Sequence, residues 1–240
     1  MATIKLLHLF DDVMSLYGEY ANVMILERYL SEQGHSVHID RLHLYEKKDI
    51  SGYDFYFMGA GTERKQKLAL PALRDYASAL KSAYEAGKVL LFTGNSFELL
   101  GRSVTDAEGK CHEGLGLFNF ETTEGNSRIV GDCLGSCDLF SAPVVGFMNK
   151  CSKTKGIEHP LFRLQMGFGN EAQKAGEGLL EKNLFATHLT GPVLVKNPAL
   201  LKEIAKRLVG EIDESRTLPY LQESYETTAT ALQKRLESLK

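Results

Sequence analysis

The amino-acid sequence predicts an α/β protein: a mostly parallel sheet with helices on both faces, followed by an antiparallel stretch. Three observations predict this. Short apolar strands alternate with amphipathic helical segments from Ile4 to Gly101, and the loops between them are short. The run Val89–Gly101, V-L-L-F-T-G-N-S-F-E-L-L-G, reads as a buried strand, a sharp turn and a short helix. That is the outline of a nucleophile elbow, in which a strained tip residue is exposed beyond the carboxyl end of the sheet. Backbone N–H groups at the helix start then face any developing oxyanion. Here the tip is Gly94, which has no side chain.

Taken in order, Ile4–Phe10 is a short apolar strand ending at Asp11-Asp12. Gly18–Gln33 then carries Val23, Leu26, Tyr29 and Leu30 at helical spacing before Gly34 closes it. Val37, Ile39 and Arg41 alternate as a second strand, and Tyr53–Met58 is a third, running into Gly59-Ala60-Gly61. A long helix is expected over Gln66–Ala86, starting or kinking at Pro71 and stopped by Gly87. Val89–Phe92 is the fourth strand. After Gly101, Gly, Ser, Thr and Asn become frequent and apolar residues fall into short alternating pieces, Arg128–Cys133, Val144–Phe147 and Phe162–Gly167. They predict an antiparallel, hairpin-rich extension of the sheet. Leu184–Leu189 reads as one more strand, and Pro198–Val209 as a helix with proline at its start and Gly210 at its end. In the tail Pro219–Lys240, apolar residues from Leu221 to Leu239 recur three or four apart. The expected organisation is one domain over residues 1–210, with a helical extension over 211–240 packed on that domain or on a partner.

Composition narrows the function. The 240 residues are 43% hydrophobic, enough for a sizeable core, and the net charge of -3 and pI near 6.2 supply no basic field for nucleic acid. No apolar run approaches bilayer-spanning length and the start carries no cleavage site, so a cytoplasmic protein is expected. Cys133 and Cys137 are closely spaced, but no second pair exists and His112 sits beside Cys111 rather than at a ligand interval. Reduced thiols are therefore expected, with no metal and no cofactor.

Other candidates each have a plainer reading. Gly59-Ala60-Gly61-Thr62 could offer backbone donors to a ligand oxygen, or simply end a strand. His188 and Thr190, two apart on a predicted strand, would face one side, although lone strand histidines usually serve packing. Asp11-Asp12 and Asp213-Glu214 look like solvated turns.

A family resemblance rests on several segments in order. They are L-Y-G-E-Y-A-N at Leu16–Asn22, F-M-G-A-G-T-E-R-K-Q at Phe57–Gln66, the elbow, and G-L-G-L-F-N-F at Gly114–Phe120. S-R-I-V-G-D at Ser127–Asp132, V-G-F-M-N at Val145–Asn149, G-F-G-N at Gly167–Asn170 and L-T-G-P-V-L-V-K-N-P at Leu189–Pro198 complete the set. Over nearly its whole length the chain resembles class I glutamine amidotransferase domains of the cobyric acid synthase type. It is most similar to the GatD-like branch, glutaminase subunits that serve a Mur-ligase-like (MurT-like) partner in amidating lipid II. The resemblance implies a flavodoxin-like three-layer sandwich. The family elbow C-G-G-Y-Q-x-L-G, aligned on Leu100-Gly101, puts Gly94 at the cysteine, Asn95 and Ser96 at the glycines and Glu98 at the glutamine. The family's L-H-G-P histidine falls on Thr190.

Class I chemistry needs a thiolate to attack the glutamine amide and an imidazole to activate the thiol and protonate the leaving ammonia. Glycine and threonine do neither, and Thr93, Ser96 and His188 form no evident substitute. The resemblance also implies that Arg128 holds an amino-acid carboxylate and that Gly59, Ala60 and Gly61 form the oxyanion-side loop. Asn95, Ser96 and His188 complete the candidate ligand set. The leading expectation is a non-hydrolytic subunit that binds or regulates a Mur-ligase-like or other synthetase. The alternatives are an active amidotransferase with noncanonical residues and a stand-alone binder of a glutamine-like molecule.

Overall fold

In a computed structural model, residues 3–172 and 174–238 are described. Strand β1 (Thr3–Leu9) is followed by a 3-10 turn at Leu16–Gly18, helix α1 (Ala21–Glu32), β2 (Ser36–Leu42) and β3 (Phe55–Met58). Then come α2 (Glu63–Asp75), α3 (Ala77–Glu85), β4 (Val89–Thr93) and a 3-10 segment over Gly94–Leu100. The expected helix over 66–86 is thus two helices. It starts earlier because the Thr62 hydroxyl caps the Lys65 N–H at 3.2 Å, and it breaks at Tyr76 rather than at Pro71. Pro71 sits inside α2, in its third turn.

The later half contains β5 (Ser103–Thr105), β6 (Cys111–Glu113), β7 (Glu121–Cys137), β8 (Phe140–Lys155), β9 (Phe162–Met166) and β10 (Gly176–Glu177). It ends with β11 (Leu179–Glu181), β12 (Leu184–Thr187), β13 (Leu189–Thr190), α4 (Val193–Lys196), α5 (Pro198–Val209) and α6 (Pro219–Ser238). The main sheet has the order β11-β12-β4-β3-β1-β2, parallel except for β11 at its edge. The antiparallel half is not an extension of it. It forms a second sheet around the long β7–β8 hairpin, which absorbs the short pieces expected at 128–133 and 144–147.

Alternation along the strands explains the layers. Leu6, Phe55, Phe57, Val89, Leu91 and Phe185 face α1 and α5, while Leu7, Leu9, Tyr56, Met58, Leu90 and Phe92 face α2 and α3. The result is a three-layer sandwich. The expected strand over 184–189 splits at His188: β12 pairs with β4 in the main sheet, and β13 crosses to pair with β8 in the second. The change of sheet leaves His188 outside both strands, although His188 and Thr190 still face one side, that of the cleft between the two sheets. The second sheet is itself covered by α6, whose Tyr225, Leu232 and Leu236 pack on Leu134 and Val145. Tyr225 also donates its hydroxyl to the Pro143 carbonyl at 2.7 Å. Of the apolar stripe, Leu239 lies outside the described residues.

Candidate functional site

Beyond the carboxyl ends of β3 and β4, a cleft of about 160 Å³ opens between the two sheets. The elbow, the β3 loop, the bulged middle of β7 and the Thr190 turn enclose it. Gly94 keeps the elbow's geometry, with φ at +60°, the left-handed region that glycine tolerates best. Its missing side chain leaves no gap. A Cβ built on Gly94 would lie 2.5 Å from the Ala60 Cβ and 3.3 Å from the Thr190 Cγ2. The positions paired by resemblance with a nucleophile and its base therefore lie close together, with Ala60 occupying the space a side chain at Gly94 would enter.

Asn95 closes the donor loop. Its Oδ1 accepts the Gly61 N–H at 2.9 Å, so the backbone donor that the glycine loop was expected to offer a ligand is already engaged. Ala60 and Gly61 line the cleft, but Gly59 does not: a Cβ there would strike the Glu19 Cβ and the Met14 carbonyl, each at 2.7 Å, so its glycine serves close packing. Ser96 is likewise outside. It is fully buried, and its hydroxyl donates back to the carbonyls of Met58 and Thr93 at 2.8 Å, so it is neither a free cap nor a ligand group.

Arg128 reaches the cleft because β7 bulges. Glu124 pairs with Ser152 and Ile129 with Lys150, so residues 125–128 stand opposite Cys151 alone. The guanidinium donates to Glu63 Oε1 at 2.8 Å and to Asn149 Oδ1 at 2.7 Å, and it remains 45% exposed. Burial opposes ionisation of Glu63, but its backbone hydrogen bond and Arg128 win, holding the carboxyl below the usual range.

His188 is buried on the cleft floor in a network that spacing could not reveal. Its Nε2 lies 3.5 Å from Glu98 and its Nδ1 3.3 Å from Glu177, which also accepts the His188 backbone N–H at 2.7 Å. Glu98 additionally accepts Gln66 Nε2 at 2.7 Å and the Ser152 hydroxyl. Burial would push the Glu98 carboxyl up, yet His188, Ser152 and Gln66 together hold it down, so it stays ionised. This carboxylate is committed to structure.

Three further lining residues escaped the sequence reading. Glu124 is paired with Lys67 at 2.5 Å, and Lys150 donates to the Gly169 carbonyl at 2.8 Å, its ammonium disfavoured by burial. The third is Cys151, whose thiol donates to Glu63 Oε1 at 3.5 Å. Burial, with Glu63 and Glu124 beside it, pushes that thiol up to about 12, the reverse of an activated nucleophile. Cys133 and Cys137 are buried free thiols on β7. Among the described residues no three His, Cys, Asp or Glu side chains converge as a metal site would need. Among them, too, no helix is long and apolar enough to cross a membrane.

Comparisons with known proteins give the family and the fold. The chain is 29% identical over 220 residues to the Lipid II isoglutaminyl synthase (glutamine-hydrolyzing) subunit GatD of Staphylococcus aureus, covering 92% of this chain and 88% of that protein. It is 30% identical over 200 residues to the subunit of the same name from Streptococcus pneumoniae, covering 82% and 77%. A shorter match, 32% over 93 residues, joins it to a probable cobyric acid synthase of Methanococcus maripaludis, covering 36% of this chain and 19% of that one. Among solved structures, a glutamine amidotransferase superposes with a TM-score of 0.59 at 13% identity, covering 85% of this chain and 99% of that one. Another, from Thermotoga maritima, has a TM-score of 0.54 at 11% identity and covers 98% and 97%. At such identities these two establish the fold alone. The model of the CobB/CobQ-like glutamine amidotransferase domain matches residues 5–198, and the chain belongs to that family.

Proposed function

We propose that this chain is a GatD-like family member without a Cys–His glutaminase centre. Its role on this reading is to bind or regulate a Mur-ligase-like (MurT-like) or other synthetase subunit. The observation that carries the reading is the elbow tip: Gly94 holds the strained conformation of a nucleophile position, and Ala60 fills the volume a side chain would need. Three neighbours support it. Thr190 carries no imidazole, the Gly61 N–H is spent on Asn95, and the Cys151 thiol is held neutral by burial and by the carboxylates beside it.

The partner side of the proposal rests on the relatives, which are named as subunits of a lipid II isoglutaminyl synthase. A glutamine-like ligand is consistent with the cleft: Arg128 could take an α-carboxylate and Glu63 an α-ammonium, exchanging their own pairing for the ligand's. The test is ammonia release from glutamine by the purified chain, alone and with a Mur-ligase-like partner. Release no faster than a heat-killed control is expected in both. Turnover by the wild type would refute the reading and favour an active centre built from other residues.

A further inference from the structure

Glu19, which follows the 3-10 turn at Leu16–Gly18, is completely buried beside the cleft, and nothing in the proposed function uses it. Its Oε1 accepts the Gly191 N–H at 2.9 Å. Its Oε2 accepts the Thr93 hydroxyl at 2.5 Å and Asn22 Nδ2 at 3.0 Å. Asn22 in turn accepts the Leu194 N–H at 2.9 Å, and the Glu19 Cβ sits 2.7 Å from where a Cβ on Gly59 would lie. The Glu19 side chain therefore packs its stem against Gly59 of the β3 loop, while its carboxylate joins the strand entering the elbow to the turn after Thr190. Thr93 and Gly191 are the immediate neighbours of Gly94 and Thr190.

We propose that Glu19 is the positioning residue of this cleft, a carboxylate clamp whose protonation state sets how firmly the elbow and the Thr190–Gly191 turn are held together. The inference rests on the cleft being the functional site, and it is independent of whether glutamine is hydrolysed there.

The chemistry follows from counting donors. An ionised carboxylate only accepts, and in this geometry all three groups facing it donate. A proton on Oε1 removes the partner of the Gly191 N–H. A proton on Oε2 disturbs Thr93, whose hydroxyl can reverse, and Asn22, whose amide already gives its oxygen to Leu194. Protonation thus loosens the clamp by at least one hydrogen bond.

Burial pushes the Glu19 carboxyl up, against Thr93, the Gly191 N–H, Lys196 and Asn22, to about 7. The group changes charge near neutrality. The sign is that of a raised acid: its contribution to stability is largest below the ordinary value of 4.5 and is lost as pH rises through about 7, while the clamp tightens over the same interval. The charged neighbour is Lys196 on α4, which donates to the Thr190 carbonyl at 3.4 Å, with Asp132 and Cys133 of β7 behind it. From α1, the β3 loop and β4 the facing groups are Asn22, Gly59 and Thr93, all neutral.

The test needs no ligand and no activity. In the full chain, the Glu19 side-chain carboxyl carbon and the amides of Thr93, Gly94 and Gly191 are followed by NMR across neutral pH. One shared step near pH 7 is expected, with greater hydrogen-exchange protection of the Gly191 N–H, relative to its intrinsic rate at each pH, on the alkaline side. Glu19→Gln should abolish the step at every amide, and Thr93→Val should move it upward because the anion loses a donor. A Glu19 carboxyl titrating near the ordinary 4.5 would overturn the proposal, as would a Gly191 step that persists in Glu19→Gln. Should Glu19→Gln not fold, the wild-type titration and Thr93→Val decide alone: a carboxyl step without matching shifts at Gly94 and Gly191 refutes the clamp.

Discussion

Gly94→Cys would place a sulfur at the elbow tip, and the structure predicts that it destabilises the protein. The new Cβ would lie 2.5 Å from the Ala60 Cβ and 3.3 Å from the Ala60 Cα. Non-bonded carbons rest about 3.5–4.0 Å apart, so the overlap is at least about 1 Å. Ala60 cannot easily retreat, because its carbonyl accepts the Leu16 N–H at 2.8 Å and the next N–H, that of Gly61, is held by Asn95.

Overpacking of this kind costs about 1–3 kcal/mol, and placing a side chain in the left-handed region adds about 1–2 kcal/mol. A loss of about 3 kcal/mol corresponds to a Tm lower by roughly 6–12 °C for a chain of this size. Ala60→Gly alone should cost about 1 kcal/mol through a lost methyl contact and added backbone freedom. In the Gly94→Cys background it should instead return about 2 kcal/mol, because the clash is gone. Denaturant unfolding of the wild type, both single variants and the double variant measures that coupling. Effects that add within about 0.5 kcal/mol would refute the steric argument. The same logic extends to activity. Gly94→Cys with Thr190→His should release no ammonia until Ala60→Gly makes room and Asn95→Gly frees the Gly61 N–H.

Other outcomes follow from single contacts. Calorimetry with glutamine should show binding weakened roughly 10- to 100-fold by Arg128→Ala, the value of a charge-assisted hydrogen bond; equal heats for the two proteins would remove Arg128 from the site. His8, buried against Phe57 with no partner for its Nε2 among the described residues, is driven down to about 3 by burial and then by Arg41. Its folded-state value is depressed, so its contribution is whole above 6.5 and is lost as pH falls from there toward 3. At about pH 5 that loss is about 2 kcal/mol, and His8→Leu should flatten this part of the stability–pH curve; parallel curves would contradict it. Truncation before Pro219 strips Leu134 and Val145 of the α6 side chains Tyr225, Leu232 and Leu236. At about 1.5–3 kcal/mol per buried large side chain, the Tm should fall by well over about 5 °C; an unchanged Tm accompanied by loss of a co-purifying protein would show that α6 is a docking element.

Much of the fold was legible because its signals are local. The continuous apolar runs Val89–Phe92 and Phe55–Met58, glycine stops at Gly34 and Gly87, and proline and glycine bracketing 198–210 act over a few residues. Each survives in the structure as an element or its end. The long helix expected over 66–86 went astray for a related reason: Pro71 is a strong local signal, yet the chain tolerates it in α2 and breaks instead at Tyr76. The family motifs were equally readable, since they lie in contiguous runs.

The sequence by itself determined a parallel α/β sheet, an elbow whose tip is glycine, and a family resemblance that aligns Gly94 and Thr190 with the family's cysteine and histidine. Only the tertiary structure decided what those positions mean. That Ala60 fills the space beside Gly94, and that Asn95 silences the Gly61 N–H, depends on two loops 34 residues apart meeting above the sheet. That His188 lies between Glu98 and Glu177 depends on the chain changing sheets at one residue. That Glu19 is a clamp depends on donors 74 and 172 residues away, and its raised ionisation depends on burial. The reason is physical. Periodicity and turn chemistry are properties of neighbours along the chain, whereas steric exclusion, donor saturation and desolvation are properties of neighbours in space.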